Sequence, residues 1–140
     1  MDVAELPTRI RLEIVTPERV VLSEDVDMVT APGALGEFGV LPGHTPMLTT
    51  LTIGLVAYKM EGRTHELAVS WGYAEVGPDK VTLLAETAEK VEEIDVERAE
   101  AARRRAVERL TKRDEELNLD RAMEAIERAA LRLRVAGKQK

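Results

Sequence analysis

Side chains that carry nucleophilic or metal chemistry are scarce in this chain. It has no cysteine and only two histidines, His44 and His65, so a thiolate site is excluded and a histidine-built metal cluster is not expected. The two serines, Ser23 and Ser70, are interpreted as structural, since no serine–histidine–acid pattern is apparent. One functional hypothesis is a carboxylate-dependent hydrolase. It requires that the purified chain itself turn over a substrate. We predict no catalytic residue and no metal site.

Basic residues offer a second chemistry, the binding of phosphates. The run Arg103–Arg105 suggests an RNA contact, but segment 88–140 carries 14 basic and 13 acidic residues, so a balanced, salt-bridged helix surface is preferred. The net charge of −6 and the pI near 5.1 argue against a nucleic-acid partner. No Gly-rich Walker sequence is present.

Membrane insertion is not expected from the sequence. The start, MDVAELPTRI, lacks the basic residues and apolar run of a secretion signal, and there is no stretch of 18 consecutive apolar residues. If the protein works at a membrane, other chains must hold it there. The absence of cysteine fits a reducing cytosol.

Two regions of different composition must position these side chains. All six prolines lie at or before Pro78 and eight of the nine glycines at or before Gly77. All four aromatic residues fall in the same region, whereas the rest of the chain is rich in Ala, Glu, Arg and Leu. One boundary near residues 86–94 explains these shifts, and we predict domains at 1–87 and 88–140.

The first region is predicted to be an antiparallel β-sandwich. Its apolar residues alternate with period two, which is typical of strands that have one buried face. Glu61-Gly62 and Gly77-Pro78-Asp79 are turn sequences between apolar runs, so they predict hairpins. The alternating residues are Ile10, Leu12 and Ile14; Leu51, Ile53, Leu55 and Ala57; and Val81 and Leu83.

The second region is predicted to be an antiparallel two-helix hairpin, connected through the polar run Arg113–Glu116. Asp95 is placed to cap the first helix and Asn118 or Asp120 the second, with Gly137 just beyond its end. The predicted apolar stripes are Val96, Ala99, Ala102, Ala106 and Leu110 on the first helix, and Leu119, Ala122, Met123, Ile126, Ala130 and Leu133 on the second.

The first of these stripes is mostly alanine. Alanine buries little apolar area, so an alanine face gives weak docking at about 25 cal/mol per Å². A marginally docked element with long reach is suited to switching. A permanently docked hairpin is the alternative.

Several motifs resemble one protein family. Gly36–Pro46 reads Gly-Glu-Phe-Gly-Val-Leu-Pro-Gly-His-Thr-Pro and follows the motif at residues 25–27. It resembles the signature loop of ATP synthase epsilon subunits. Residues 71–76 and 81–86 resemble the last sandwich strands of that family, and residues 93–99 the start of its helical domain.

The resemblance implies a β-sandwich followed by a helical hairpin, bound to the gamma subunit and to the c ring at the foot of the rotor. It implies that the loop with Glu37 and His44 faces the polar loops of the c ring. An alternative for His44 is an imidazole bonded to nearby backbone.

The helical domain also resembles the ATP-binding members of the family, which implies ATP as a regulatory ligand. The matching residues are Glu89, Asp95, Arg98, Ala99, Arg105, Arg128 and Arg132. Arginines from two helices would neutralise a triphosphate, and a carboxylate would accept from ribose or adenine groups. In the alternative interpretation, Arg128 and Arg132 lie opposite the apolar stripe on a solvated face, and Arg98 and Arg105 flank the other stripe.

The function implied by the resemblance is that of a non-catalytic subunit of a bacterial proton-translocating F-type ATP synthase. It couples the gamma shaft to the c ring, and its hairpin inhibits ATP hydrolysis through contacts with the alpha and beta subunits. Its location is then the cytoplasmic face of the bacterial inner membrane. The alternative is a free-standing nucleotide-sensing interaction module.

Overall fold

The computed structural model describes residues 8–112 and 118–137. The predicted fold class, a β-sandwich followed by a helical hairpin, is confirmed, and the chain divides into two compact units, Met1–Glu89 and Lys90–Lys140. The predicted helix connection, Arg113–Glu116, lies outside the described residues. The elements are β1 (Ile10–Val15), β2 (Val20–Val26), β3 (Met28–Gly33), β4 (Gly36–Val40), β5 (Met47–Leu51), β6 (Gly54–Met60), β7 (Arg63–Val76), β8 (Lys80–Lys90), a 3₁₀ turn (Val91–Glu93), α1 (Val96–Lys112) and α2 (Leu119–Gly137).

The eight strands share one hydrogen-bonded sheet in the order β2-β1-β8-β7-β5-β3-β4, with β6 paired to both β3 and β7. Strands β1 and β8 run parallel, with Arg11 opposite Lys80, so the antiparallel arrangement predicted for the sandwich does not hold for this pair. The β1–β2, β3–β4, β3–β5, β3–β6, β5–β7 and β6–β7 pairs are antiparallel. The parallel pair joins the first and last strands, which no hairpin connects, so nothing in their linkage requires them to be antiparallel.

The centre of the sandwich is built from the alternating residues of β1 and β8. Leu12 lies opposite Val81 and Ile14 opposite Leu83, and all four are 0% exposed. Burying one such aliphatic side chain contributes about 1.5–3 kcal/mol. The period-two prediction is confirmed for both strands.

The alternation predicted over Leu51–Ala57 is right for Leu51 and Ile53, which are buried, and wrong in its phase for Leu55 and Ala57. The chain breaks between β5 and β6, because the Thr52 N–H donates to the Pro32 carbonyl at 3.0 Å and leaves the β5 ladder. When β6 resumes, it buries Val56 and Tyr58, and Leu55 and Ala57 are only half-buried. The single alternating run is therefore two strands, β5 and β6, which pair with different segments of β7.

Both predicted turns are confirmed. Glu61 and Gly62, with φ of 54° and 76°, form the two-residue turn of the β6–β7 hairpin, in which Met60 pairs with Arg63. Positive φ at both turn residues matches the twist of the flanking strands. Between β7 and β8, the Gly77 N–H donates to the Lys80 carbonyl at 2.8 Å.

Strand β7 turns a corner in its middle. Its residues 63–69 pair with β6, and its residues 72–76 pair with β5. At the corner Trp71 has φ 46° and Gly72 φ 144°, and a Cβ on Gly72 would lie 1.8 Å from the Leu84 carbonyl oxygen. Only glycine fits there, so this residue allows one strand to serve two neighbours.

The helix starts follow the predicted caps. The Asp95 carboxylate accepts from the Arg98 N–H at 3.1 Å, and the Asn118 side-chain oxygen accepts from the Arg121 N–H at 3.1 Å. Each cap satisfies one of the N–H groups that has no partner inside its helix. Helix α2 includes Gly137 as its last residue.

The predicted stripe of α1 is nearly right, and that of α2 is wrong. In α1, Ala99 and Ala106 are buried and Val96 is exposed. In α2 the buried residues are Ala122, Ala129, Leu131 and Val135, while Leu119 and Met123 are more than half exposed. Alanines seven residues apart on both helices form matched rows that allow close approach. This close fit leaves the larger side chains of the predicted α2 stripe to one side.

Candidate functional site

The signature loop begins at the edge of the sheet. Glu37 is exposed on β4, opposite Pro32 of β3. Beyond β4, the Gly43 N–H donates to the Pro78 carbonyl at 2.7 Å, and the His44 N–H donates to the Leu41 carbonyl at 3.1 Å. The first bond ties the loop to the β7–β8 turn, and the second closes a turn within the loop.

His44 makes a local backbone bond. Its ring Nδ1 lies 2.6 Å from the Thr45 carbonyl oxygen. A carbonyl oxygen only accepts, so Nδ1 carries the hydrogen and Nε2 is the acceptor of the neutral ring. The alternative interpretation from the sequence therefore holds for Nδ1, and Nε2 is the atom that a partner would meet.

The basic residues of α1 lie along one flank of the helix. Each residue of an α-helix is turned by about 100° around the helix axis from the one before it, so the angle of each side chain can be measured from the buried Ala99. Four basic residues lie at angles between roughly −80° and −140°: Arg98, Arg105, Arg109 and Lys112. All four are exposed. The flank is about 21 Å long, because 14 steps of 1.5 Å separate Arg98 from Lys112.

Helix α2 has basic residues at the same angles, but Arg128 and Arg132 are half-buried there and Val135, at about −140°, is buried. Arg121, Arg128 and Arg132 fall between roughly −80° and −140° from the buried Ala122. When two helices pack antiparallel, residues that lie at equal angles from the buried, facing residues of their own helices are on the same side of the pair. The two flanks therefore form one surface, the basic edge, defined as Arg98, Arg105, Arg109, Lys112, Arg121, Arg128 and Arg132.

The acidic residues of the two helices, within 96–112 and 119–137, all lie outside the basic edge. They are Glu97, Glu100, Glu108, Asp120, Glu124 and Glu127. The two helices, over 96–112 and 119–137, therefore present one positive side. This segregation suits an elongated polyanion, because guanidinium groups from two helices can each donate paired hydrogen bonds to phosphate or carboxylate oxygens.

The predicted ATP residues divide among three places. Arg98, Arg105, Arg128 and Arg132 all belong to the basic edge. Asp95 caps α1, and Ala99 is buried at the inner face of α1 and offers no polar side chain. Glu89 is half-buried near the end of β8, in the other compact unit.

The sequence prediction missed three members of the basic edge, Arg109, Lys112 and Arg121. Counting 100° steps from the buried alanines finds them. The predicted α2 stripe contained Ala122 but was centred on Leu119 and Met123. Because Arg128 and Arg132 were positioned relative to that stripe, they were predicted to lie opposite the buried face of α2. That prediction is wrong, because both lie on the flank of α2 and are half-buried.

The sandwich carries a second candidate surface, an apolar cleft of about 750 Å³. Its lining includes Val15, Pro17, Trp71, Tyr73 and Leu84, with Tyr73 58% and Leu84 49% exposed. Exposed apolar surface with aromatic walls is typical of protein-binding sites. The strained corner of β7 positions Trp71 and Tyr73 here, which the sequence prediction did not anticipate.

Within residues 8–112 and 118–137, no three histidine, cysteine or acidic side chains come together as metal ligands would. Over the same ranges, neither helix is long and apolar enough to span a bilayer.

Comparisons with known proteins cover nearly the whole chain. The beta-sandwich domain model of the ATP synthase delta/epsilon chain matches residues 9–91, and the long alpha-helix domain model matches residues 92–137. The ATP synthase epsilon chain of Geotalea uraniireducens (strain Rf4) is 56% identical over 131 residues, which is 93% of this chain and 95% of that one. The ATP synthase epsilon chain of Geobacter sp. (strain M21) is 54% identical over 133 residues, with the same coverage.

One chain of a solved structure is also similar to this protein over most of the length of both chains. It is a chain in the cryo-EM structure of the Euglena gracilis mitochondrial ATP synthase, OSCP/F1/c-ring in rotational state 1. The TM-score is 0.80 at 27% identity, and the match covers 97% of this chain and 86% of that chain.

Proposed function

Because the chain belongs to the ATP synthase delta/epsilon chain family, we propose that it is the non-catalytic epsilon subunit of a bacterial, proton-translocating F-type ATP synthase. The observation that carries the proposal is the match of both family domains, in order, over residues 9–137. The protein then lies at the cytoplasmic face of the inner membrane, held there by other subunits.

The sandwich is the coupling part in this proposal. It binds the gamma shaft through its apolar cleft and the c ring through the loop that carries Glu37 and His44. Transmission of torque needs a body that does not deform, and a core of fully buried aliphatic residues on β1 and β8 supplies one. The hydrogen bond from the Gly43 N–H to the Pro78 carbonyl, which ties the loop to the β7–β8 turn, serves the same purpose.

The hairpin is the regulatory part. The inner face of α1 offers mainly Ala99, Ala102 and Ala106, so its separation from α2 costs little apolar burial. Helices of 17 and 19 residues are about 25 and 28 Å long, so opening at the connection roughly doubles the reach of the hairpin. In the extended state the basic residues of the separated helices meet acidic surfaces of the alpha and beta subunits and block hydrolytic rotation.

ATP favours the closed state in this mechanism. The triphosphate lies along the basic edge, where it needs arginines from both helices, and Asp95 contacts the ribose or the adenine. Separation of the helices divides the edge, so ATP binds the closed hairpin more tightly. High ATP therefore shifts the population toward the state that permits rotation.

Copurification tests the identity. A tagged chain expressed in its own cells should be recovered from membranes together with gamma and the c ring. Recovery as a lone soluble protein would support a free-standing nucleotide-sensing module instead. Turnover of a substrate by the purified chain would contradict the non-catalytic assignment.

Calorimetry of the isolated chain tests the nucleotide site. Arg105→Ala and Arg128→Ala should each weaken ATP binding about tenfold or more, because each removes a charge-assisted contact worth about 1.5–3 kcal/mol. Arg104→Ala is the matched control, since it removes the same charge from a neighbouring exposed residue outside the basic edge. No binding by the unmodified chain at millimolar ATP, or equal loss in all three variants, would reject the site.

A further inference from the structure

The Glu124 carboxylate borders the basic edge and contacts it. The Glu124 Oε2 lies 3.7 Å from Nη1 of Arg128, one turn later on α2. At about 100° per residue, Glu124 lies roughly 60° from the centre of the edge, closer than the other acidic residues of the two helices. The Arg128 side chain is 29% exposed and that of Glu124 41% exposed.

The geometry makes this ion pair a weak one. The separation is beyond hydrogen-bonding distance, and both groups reach solvent, so charge attraction alone holds the pair. A terminal phosphate carries more charge and accepts several hydrogen bonds from one guanidinium. A phosphate therefore displaces Glu124 from Arg128, but it must do so at some cost in binding.

We propose that Glu124 is a positioning residue that lowers the affinity of the basic edge for nucleoside triphosphates by occupying Arg128 in the unliganded hairpin. The inference rests on the nucleotide site proposed above and adds a residue outside the set predicted from the sequence. Its consequence is an ATP affinity set by competition between a carboxylate of the chain and the phosphate, which keeps the site responsive to changes in ATP concentration.

Titration calorimetry with ATP on the full chain tests the proposal. Glu124→Gln should bind ATP about twofold to fivefold more tightly than the unmodified chain, the range set by partly exposed ion pairs. Glu127→Gln is the matched control, because it makes the same charge change on the far side of α2. It should alter the affinity less than Glu124→Gln does.

A double variant separates positioning from a general charge effect. In an Arg128→Ala background, Glu124→Gln should give no gain in affinity, because the competing pair is already absent. Far-UV circular dichroism should show equal helix content in all the chains. Equal affinities for Glu124→Gln and Glu127→Gln, or an undiminished gain without Arg128, would overturn the role of Glu124.

The outcomes also separate this inference from the site on which it rests. ATP binding by the unmodified chain without a specific gain in Glu124→Gln rejects only the role of Glu124. Absence of ATP binding in the unmodified chain and in Glu124→Gln rejects both.

Discussion

The sandwich and the hairpin bury different kinds of side chain. The sandwich interior contains Ile10, Leu12 and Ile14 of β1, each 0% exposed. In the hairpin, α1 buries only the alanines Ala99 and Ala106, while α2 buries Ala122 and Ala129 together with Leu131 and Val135. An aliphatic interior resists deformation, whereas an alanine interface separates at low cost. One chain thus combines a rigid part with a part that can be released.

The two regions also place their charges differently. On the sandwich, Arg11 lies 3.6 Å from Asp25 across the β1–β2 pair, and Lys80 lies 3.3 Å from Glu13. Each of these pairs cancels locally, although segment 1–87 carries 6 basic and 13 acidic residues and is negative as a whole. On the hairpin, within 96–112 and 119–137, seven basic residues share one edge and the acidic residues lie outside it, with Glu124 at its border. Local pairing suits a structural surface, and segregation suits a binding surface.

The largest difference should come from truncating one leucine in each region. Leu12→Ala should lower the free energy of unfolding by about 2–5 kcal/mol, because it leaves a cavity in the aliphatic core. Leu110→Ala, at a half-buried position on α1, should cost about 1 kcal/mol or less. Urea unfolding followed by Trp71 fluorescence measures the loss of stability in Leu12→Ala, because this fluorescence reports on the sandwich alone. Equal losses would erase the distinction between the regions.

The corner of β7 should be nearly as sensitive. Gly72→Ala puts a Cβ against the Leu84 carbonyl and strains a backbone with φ 144°, at a cost of about 2–3 kcal/mol. Gly137→Ala is the control, since a Cβ there meets no atom within 4 Å. The thermal midpoint of the sandwich, followed by Trp71 fluorescence, should fall only in Gly72→Ala. An unchanged midpoint would contradict the strained corner.

The two helix caps offer a more selective comparison. Asp95→Ala and Asn118→Ala should each lower helix stability by about 1 kcal/mol, because each removes one side-chain acceptor at a helix start. Only Asp95→Ala should also weaken ATP binding, since Asn118 is no part of the proposed site. Circular dichroism at 222 nm and calorimetry measure the two effects. If Asp95→Ala and Asn118→Ala bind ATP with equal affinity, Asp95 is a helix cap and does not contribute to ATP binding.

The smallest effect is expected at the paired charges of the sandwich. Arg11→Ala removes the partner of Asp25, but both side chains are about half exposed. The loss of stability should be about 0.5 kcal/mol or less, and binding to gamma should not change. Urea unfolding in low and high salt checks this. A loss above 1 kcal/mol would give surface pairs a larger role in the rigid region.

The sequence predicted the features that depend on local patterns. Alternation in β1 and β8, the turn at Glu61-Gly62 and the cap at Asp95 each follow from neighbouring residues, and all three are confirmed. Together with the motif at Gly36–Pro46, they were sufficient to predict the fold class and the family.

The misses depend on tertiary packing. The break between β5 and β6 requires the Pro32 carbonyl, which is distant in sequence. The inner face of α2 is set by how closely alanines allow α1 to approach, so the larger side chains of Leu119 and Met123 gave the wrong phase. The apolar cleft arises at a β7 corner whose two partner strands cannot be recognised from β7 itself. The residues of the basic edge are identified by their angles from the buried faces of the helices. Because the buried face of α2 was predicted wrongly, not all of these residues were predicted.

Removal of the hairpin from the assembled complex tests the division of labour most directly. A chain that ends at Lys90 retains all of β8 and the whole sandwich. Reconstituted in place of the full chain, it should still join gamma and the c ring and support ATP synthesis, while ATP hydrolysis by the complex rises. Failure to assemble, or hydrolysis at the original rate, would contradict a rigid coupling sandwich that carries a releasable inhibitory hairpin.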